Sequence, residues 1–192
     1  LLTPVPAHVT VTLEGRRVHV HGWRYMVRGL SDRAIPVYFL DTLLPENTPW
    51  DQTLTDHLYG GDERYRLAQE VVLGFGGIAL LRALGYESIR CYHMNEGHAA
   101  LLTLALLEEL VGGRGLRAVS EADREAVRRQ CVFTTHTPVP AGQDKFPLEL
   151  VRQVLGEERT AFLEANGCCL DGMLNMTYLG LIFSHYINGV AM

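Results

Sequence analysis

Lysine is nearly missing: Lys145 is the only one, and the other sixteen of the seventeen Lys and Arg residues are arginines. Schiff-base chemistry therefore has a single candidate residue in this chain. No apolar run reaches the roughly 18 residues that a membrane-spanning helix needs, so no membrane partner is expected. The opening Leu1-Leu2-Thr3-Pro4-Val5-Pro6 has neither a basic leader nor an apolar core, so no signal peptide is expected and the cytoplasm is the expected compartment. The four cysteines, at 91, 131, 168 and 169, show no CxxC spacing, and the last two are adjacent. That pattern supports neither a disulfide scaffold nor a structural zinc site. Positive charge is also in deficit, the formal net charge being −5. A nucleic-acid binder needs a clustered basic face, so that class is excluded. The one local cluster, Arg114, Arg117, Arg124, Arg128 and Arg129, alternates with Glu121, Asp123 and Glu125 and reads as a solvated helix face. The first residue is not methionine and the finish at Asn188-Gly189-Val190-Ala191-Met192 is abrupt, which suggests a piece of a longer protein.

What is present is an ordinary globular composition, 47% hydrophobic and 20% charged, over 192 residues, enough for one substantial core. Residues 9–13 and 17–21 alternate apolar and polar around a Glu14-Gly15 turn, the pattern of a β-hairpin. Residues 35–40 are continuously apolar, as expected of a strand buried on both faces. A loop over 41–51, marked by Pro45, Asn47 and Pro49, leads to Gly60-Gly61-Asp62, which opens a helix expected over 63–84 and stopped by Gly85. Gly74, Gly76 and Gly77 lie inside that helix and fit neither a Walker loop nor a dinucleotide fingerprint, so they are read as packing residues that let the helix approach a sheet. A βαβ unit is expected next, with a strand over 88–92, a nearly all-apolar helix from 97 to 111 and a strand over 131–135. Ser120 caps another helix with an acidic first turn. Helices near 147–155 and 157–165 and an apolar helix over 173–187 complete the chain.

Chemistry concentrates in two blocks, His93-Met94-Asn95-Glu96-Gly97-His98 and Thr134-Thr135-His136-Thr137-Pro138. Each follows a short apolar run, Ile89 to Tyr92 and Cys131 to Phe133. In an open parallel sheet, such positions lie at the carboxyl ends of strands, where ligands bind, so the two blocks point to one shared pocket. Asn95, His98 and His136 can each donate and accept hydrogen bonds, which suits a neutral sugar. Glu96 adds an acceptor that could fix a hydroxyl or orient His98, and a break at Gly97 would aim the following helix end at an oxygen-rich ligand. The bland readings are a packed core His93, a structural His98 and a helix N-cap role for Asn95. His93 and His98 lack the i, i+4 spacing of a zinc-protease helix, and no metal is expected.

Together with Val139-Pro140-Ala141-Gly142, these blocks resemble the α-glucan (glycogen and maltodextrin) phosphorylase family in its short bacterial and archaeal branch. Leu40-Asp41-Thr42, Pro45-Glu46-Asn47, Leu58-Tyr59-Gly60-Gly61-Asp62, Arg66 with Gln69-Glu70, Asn175-Met176-Thr177 and Tyr186 to Val190 are similar as well. The resemblance implies phosphorolysis: orthophosphate attacks an α-1,4-glucan and releases glucose 1-phosphate with retention, with pyridoxal phosphate as cofactor. It implies an α/β fold, the Rossmann-like parallel-sheet half of a two-domain GT-B-type retaining glycosyltransferase with added N-terminal strands, in a parent that is a homo-oligomer. Residues 1–192 would then form a single α/β domain, part of the N-terminal half and inactive alone. The resemblance implies that His98 contacts the glucosyl 6-hydroxyl, with Glu96 and Asn95 beside it. It implies that His136, flanked by Thr137, directs its backbone carbonyl to the reacting carbon as the catalytic contact. Lys145 is not in a Schiff-base context, so the cofactor lysine is expected outside this chain. Alternatives are another retaining glucosyltransferase of that architecture, such as a glycogen or starch synthase, and a non-catalytic oligosaccharide-binding module.

Overall fold

The computed structural model describes residues 1–30, 33–58, 60–136 and 144–190. The chain begins with a hairpin of β1 (Thr3–Leu13) and β2 (Arg16–Arg28). Its two-residue turn places both Glu14 (φ 50°) and Gly15 (φ 75°) in the left-handed region, the geometry whose twist matches that of the strands. Val5, Ala7, Val11 and Leu13 of β1 and Val18 and Val20 of β2 face the core, while their neighbours face solvent. β3 (Ala34–Asp41) pairs antiparallel with β2 and closes a sheet of order β1-β2-β3. The expectation of a doubly buried strand fails here. β3 is an antiparallel edge, and Ile35 and Phe39 remain 68% and 49% exposed.

The loop after β3 is pinned by buried Asn47, whose amide donates to His19 O and Thr42 O at 2.8 Å each. α1 (Glu63–Val71) starts at Asp62, which accepts from Tyr65 N at 2.9 Å. It runs through a π-turn (Val72–Gly76) into α2 (Gly77–Ala83), and the chain leaves through Gly85 at φ 85°. The expected single α-helix is thus interrupted. A Cβ on Gly74 would sit 2.7 Å from Leu101 Cβ and 2.9 Å from the Leu101 carbonyl carbon, so the widened turn lays bare backbone on the next helix. It is Gly76 that faces the sheet, toward Val11 and Val20.

β4 (Tyr92–Asn95) follows, with a 3₁₀ turn (Gly97–Ala99) leading into α3 (Leu101–Val111). Leu101, Leu104 and Leu107 of α3 are fully buried, each gaining about 2 kcal/mol from leaving water. α4 (Glu121–Arg128) carries a complete Ser120–Asp123 capping box, and its arginines pair with Glu121 and Glu125 as a solvated face should. β5 (Cys131–Thr135) returns parallel to β4. Cys131 is buried as expected, but Cys91 is exposed and precedes the strand, because the strand lies over 92–95 rather than 88–92.

β6 (Lys145–Pro147), α5 (Leu148–Leu155), α6 (Glu157–Ala165), β7 (Cys169–Leu170), β8 (Met173–Asn175), α7 (Met176–Ile182) and β9 (Tyr186–Gly189) complete the order. The helix expected over 173–187 is replaced by strand, short helix and strand. Asn175 caps α7 by accepting from Thr177 N at 3.0 Å, and β9 adds to β5 in parallel. The architecture is mixed α/β: the parallel sheet β4-β5-β9, the antiparallel sheet β1-β2-β3 and a small antiparallel sheet β6-β8-β7. One apolar cluster joins Val11 and Val20, Leu67 and Val71, Leu104, Phe133 and Phe183. Among the described residues, no helix is long and apolar enough to cross a membrane.

Candidate functional site

The carboxyl end of the parallel sheet gathers the polar blocks. Alternation in β4 turns Tyr92 and Met94 inward and leaves His93 and Asn95 exposed, so the first block begins inside the strand rather than after it. Asn95 pairs with Thr134 across the sheet, and Thr134 with Asn188. A hydrogen-bonded row crosses all three strands: Thr134 Oγ1 donates to Asn188 Oδ1 at 2.7 Å and lies 2.6 Å from His93 Nε2. Because the hydroxyl proton goes to Asn188, His93 must be the donor, with its hydrogen on Nε2. His93 is therefore not packed in the core; its Nε2 is tied into this row.

The next row holds His136. Asn95 Oδ1 lies 2.6 Å from His136 Nε2, and an amide oxygen only accepts, so that nitrogen carries the proton. Asn95 is a strand residue, not a helix N-cap. Glu96 adopts φ 65°, ψ 175°, a conformation that costs a non-glycine residue on the order of 1–3 kcal/mol. Contacts to β5 hold it there: Glu96 N donates to Thr134 O at 2.9 Å, Thr135 Oγ1 to Glu96 Oε2 at 3.2 Å, and the His136 backbone N–H to Glu96 Oε1. The sharp turn expected at Gly97 thus occurs at Glu96. Gly97 has a packing role instead, since a Cβ there would meet Met176 Cβ at 2.9 Å and Thr177 N at 3.2 Å.

His98 turns Nδ1 toward Asp144 Oδ2, 3.3 Å away, and Arg66 reaches Asp144 Oδ1. The acid against the His98 ring nitrogen Nδ1 is thus Asp144. Glu70 is buried on α1. Burial pushes the Glu70 carboxyl well above the usual range, and the neighbouring Asp144 charge adds to this. Burial also works against ionisation of Asp144, but the His98 hydrogen bond and the Arg66 charge outweigh it and hold that carboxyl low. A cavity of about 380 Å³, walled by Tyr38, Phe39, Leu54 and Leu73, has Glu70 and His98 in its lining.

Of the expected site residues, Asn95, Glu96 and His136 are brought together by direct hydrogen bonds, His98 joins Asp144, and Thr137 lies outside the described residues. Sequence reasoning missed Thr134, Asn188, Asp144 and Glu70 as partners. Glu70 carried a signal, being a charge on the same helical face as Leu67 and Val71. No cluster of three or more His, Cys, Asp or Glu able to hold a metal occurs among the described residues. Lys145 opens β6, exposed and paired in register with Asn175, and is not in the cavity lining. It does not fit as the attachment point of pyridoxal phosphate.

What the geometry defines is a mixed α/β protein with a cluster of hydrogen-bonded polar side chains at the carboxyl end of a parallel sheet. No family profile matches the chain. Individual relatives do. It is 37% identical over 199 aligned positions to the maltodextrin phosphorylase of Thermococcus litoralis, covering 97% of this chain and 22% of that protein. It is 36% identical over 180 positions to the glycogen phosphorylase of Mycobacterium tuberculosis, covering 82% of this chain and 20% of the relative. The Aquifex aeolicus glycogen phosphorylase is 33% identical over 167 positions, 81% of this chain and 23% of the relative. The chain belongs to the glycogen and maltodextrin phosphorylase family, and it spans about a fifth of the length of these relatives.

Proposed function

We propose that this chain supplies one wall of the glucosyl-binding pocket of an α-glucan phosphorylase, the N-terminal Rossmann-like part of a GT-B-type fold. The parent enzyme would split α-1,4-glucan with orthophosphate to give glucose 1-phosphate. The observation that carries the reading is the double restraint on His136 at the end of the parallel sheet, its backbone held by Glu96 and its ring by Asn95. His98 would hold a sugar hydroxyl. The His136 carbonyl would face positive charge developing at the anomeric carbon, with Thr137 next to it in sequence. Pyridoxal phosphate would supply a phosphate group for proton transfer, and its attachment would come from outside this chain because Lys145 does not fit it. The isolated chain should bind glucan weakly and turn nothing over.

Histidine-selective NMR with maltoheptaose tests this. Millimolar ligand should shift His98 and His136 and leave His8 and His185 unmoved; no response at either site residue sinks the reading. Tight binding by the isolated chain would favour a self-standing binding module. A chimera with this chain in place of the matching segment of the Thermococcus litoralis enzyme should retain phosphorolysis, and His98→Ala should abolish most of it.

A further inference from the structure

Two carboxyls and one guanidinium meet behind His98. Asp144 is only 13% exposed at its side chain, and Glu70 is 4% exposed overall. Arg66 contacts the Asp144 carboxylate, and the Asp144 charge adds to burial in raising the Glu70 carboxyl. The Oε2 atom of Glu70 is buried with no hydrogen-bond partner. Asp144 has Arg66 and the His98 ring against its two oxygens. Glu70 is buried without such partners, so lost hydration and the like charge of Asp144 both favour its protonated form. Among the described residues, His98, His57 and Tyr38 are the other titratable side chains that line the same cavity as Glu70 and Arg66.

A carboxylate on one ring nitrogen fixes a histidine's tautomer and orientation, leaving the other nitrogen with a defined role. We propose that Asp144, braced by Arg66, is a positioning residue that holds His98 as the Nδ1–H tautomer and so orients its ring toward a sugar hydroxyl. The arrangement deepens the glucosyl-pocket reading and rests on it for the identity of the hydroxyl donor. The tautomer itself is independent of any ligand. Asp144 is well placed for the task, because its backbone oxygen also accepts Met176 N at 3.0 Å, fixing it to the start of α7. Removing the brace should loosen ligand positioning without removing any group that touches the ligand.

The test is long-range proton–nitrogen NMR on histidine-labelled chain. The neutral wild-type His98 ring should be the Nδ1–H form. Asp144→Asn should move a large part of the His98 population to Nε2–H, whereas Glu70→Gln, which mimics the neutral acid, should leave the tautomer unchanged. An Nε2–H wild-type ring or a tautomer indifferent to Asp144→Asn would each overturn the proposal. If Asp144→Asn does not fold, the wild-type tautomer decides alone. Maltoheptaose titration is a separate arm: a correct tautomer with no ligand response at His98 counts against the glucosyl reading and not against the positioning role. In the chimera, Asp144→Asn should raise KM for glucan about tenfold with a smaller change in kcat; a purely structural role would lower the amount of folded enzyme and leave KM alone.

Discussion

Asn95 and His136 sit on neighbouring strands with Oδ1 and Nε2 2.6 Å apart, so one exposed amide decides which ring nitrogen of His136 carries hydrogen. Asn95→Ala should release the ring to a mixture of tautomers, read by the same nitrogen chemical shifts, while Asn95→Asp, which keeps the acceptor, should preserve Nε2–H. The bond is solvent-exposed, so Asn95→Ala should change stability by no more than about 1 kcal/mol. Affinity for maltoheptaose should fall roughly tenfold, equivalent to about 1.4 kcal/mol. A full-affinity alanine variant would remove Asn95 from the site.

Glu96 makes an unusual pair of substitutions informative. Its left-handed backbone favours glycine, and its carboxylate engages Thr135 and the His136 backbone. Glu96→Ala loses the carboxylate contacts and keeps the strain, for a loss of about 2–3 kcal/mol. Glu96→Gly loses the same contacts but relieves the strain, so it should be about 1 kcal/mol more stable than the alanine variant. Chemical denaturation measures both, and an alanine variant as stable as the glycine variant would show that the backbone is not strained.

Much of the scaffold was readable because its signals are local. The Glu14-Gly15 turn, the Ser120–Asp123 capping box and the two helices split at Gly156 are each decided within a few neighbouring residues. The errors share a physical cause, dependence on distant partners. Tyr186 and Ile187 look like the tail of an apolar helix until β5 supplies a parallel edge for them. The run over 35–40 reads as doubly buried, yet pairing with β2 leaves it at an edge. The blocks holding Asn95, Glu96 and His136 were legible as site material by residue type and placement. The Asp144 contacts to His98 and Arg66 were not, because they join residues 46 and 78 apart along the chain.

The interior glycines of the helix should respond in opposite directions. Gly74→Ala drives a methyl into the Leu101 backbone and should destabilise by about 2 kcal/mol. A Cβ on Gly77 meets nothing within 4 Å, and the residue opens α2 with helical neighbours on both sides. Gly77→Ala should therefore stabilise by roughly 0.5–1 kcal/mol through the smaller entropy loss of alanine. Thermal melts of the two variants check this, and equal behaviour would mean the π-turn is not shaped by contact with α3.

Acid should weaken the chain through Glu14, whose carboxylate accepts from Arg64 Nη2 at 2.7 Å and from Arg16 and Gln153. The Arg64 hydrogen bond is the largest influence, and burial opposes it; with Arg16 added, the carboxyl is lowered from its usual 4.5 to about 2. A folded value below the unfolded one means the unfolded chain binds more protons in that window, so stability falls with falling pH. The Glu14 contribution should be complete above pH 4.5 and lost as pH drops through about 2. Glu14→Gln should accordingly cost about 2 kcal/mol near neutrality, the magnitude of a hydrogen bond to a charged group. That deficit should shrink steadily below pH 4.5. Glu70 has the opposite sign: its raised carboxyl favours folding while protonated, so the wild type loses stability relative to Glu70→Gln as pH rises above the usual carboxylate range. Denaturation curves of the two variants across pH should therefore diverge from wild type in opposite senses. A constant offset for both would show that neither carboxyl is perturbed by its surroundings.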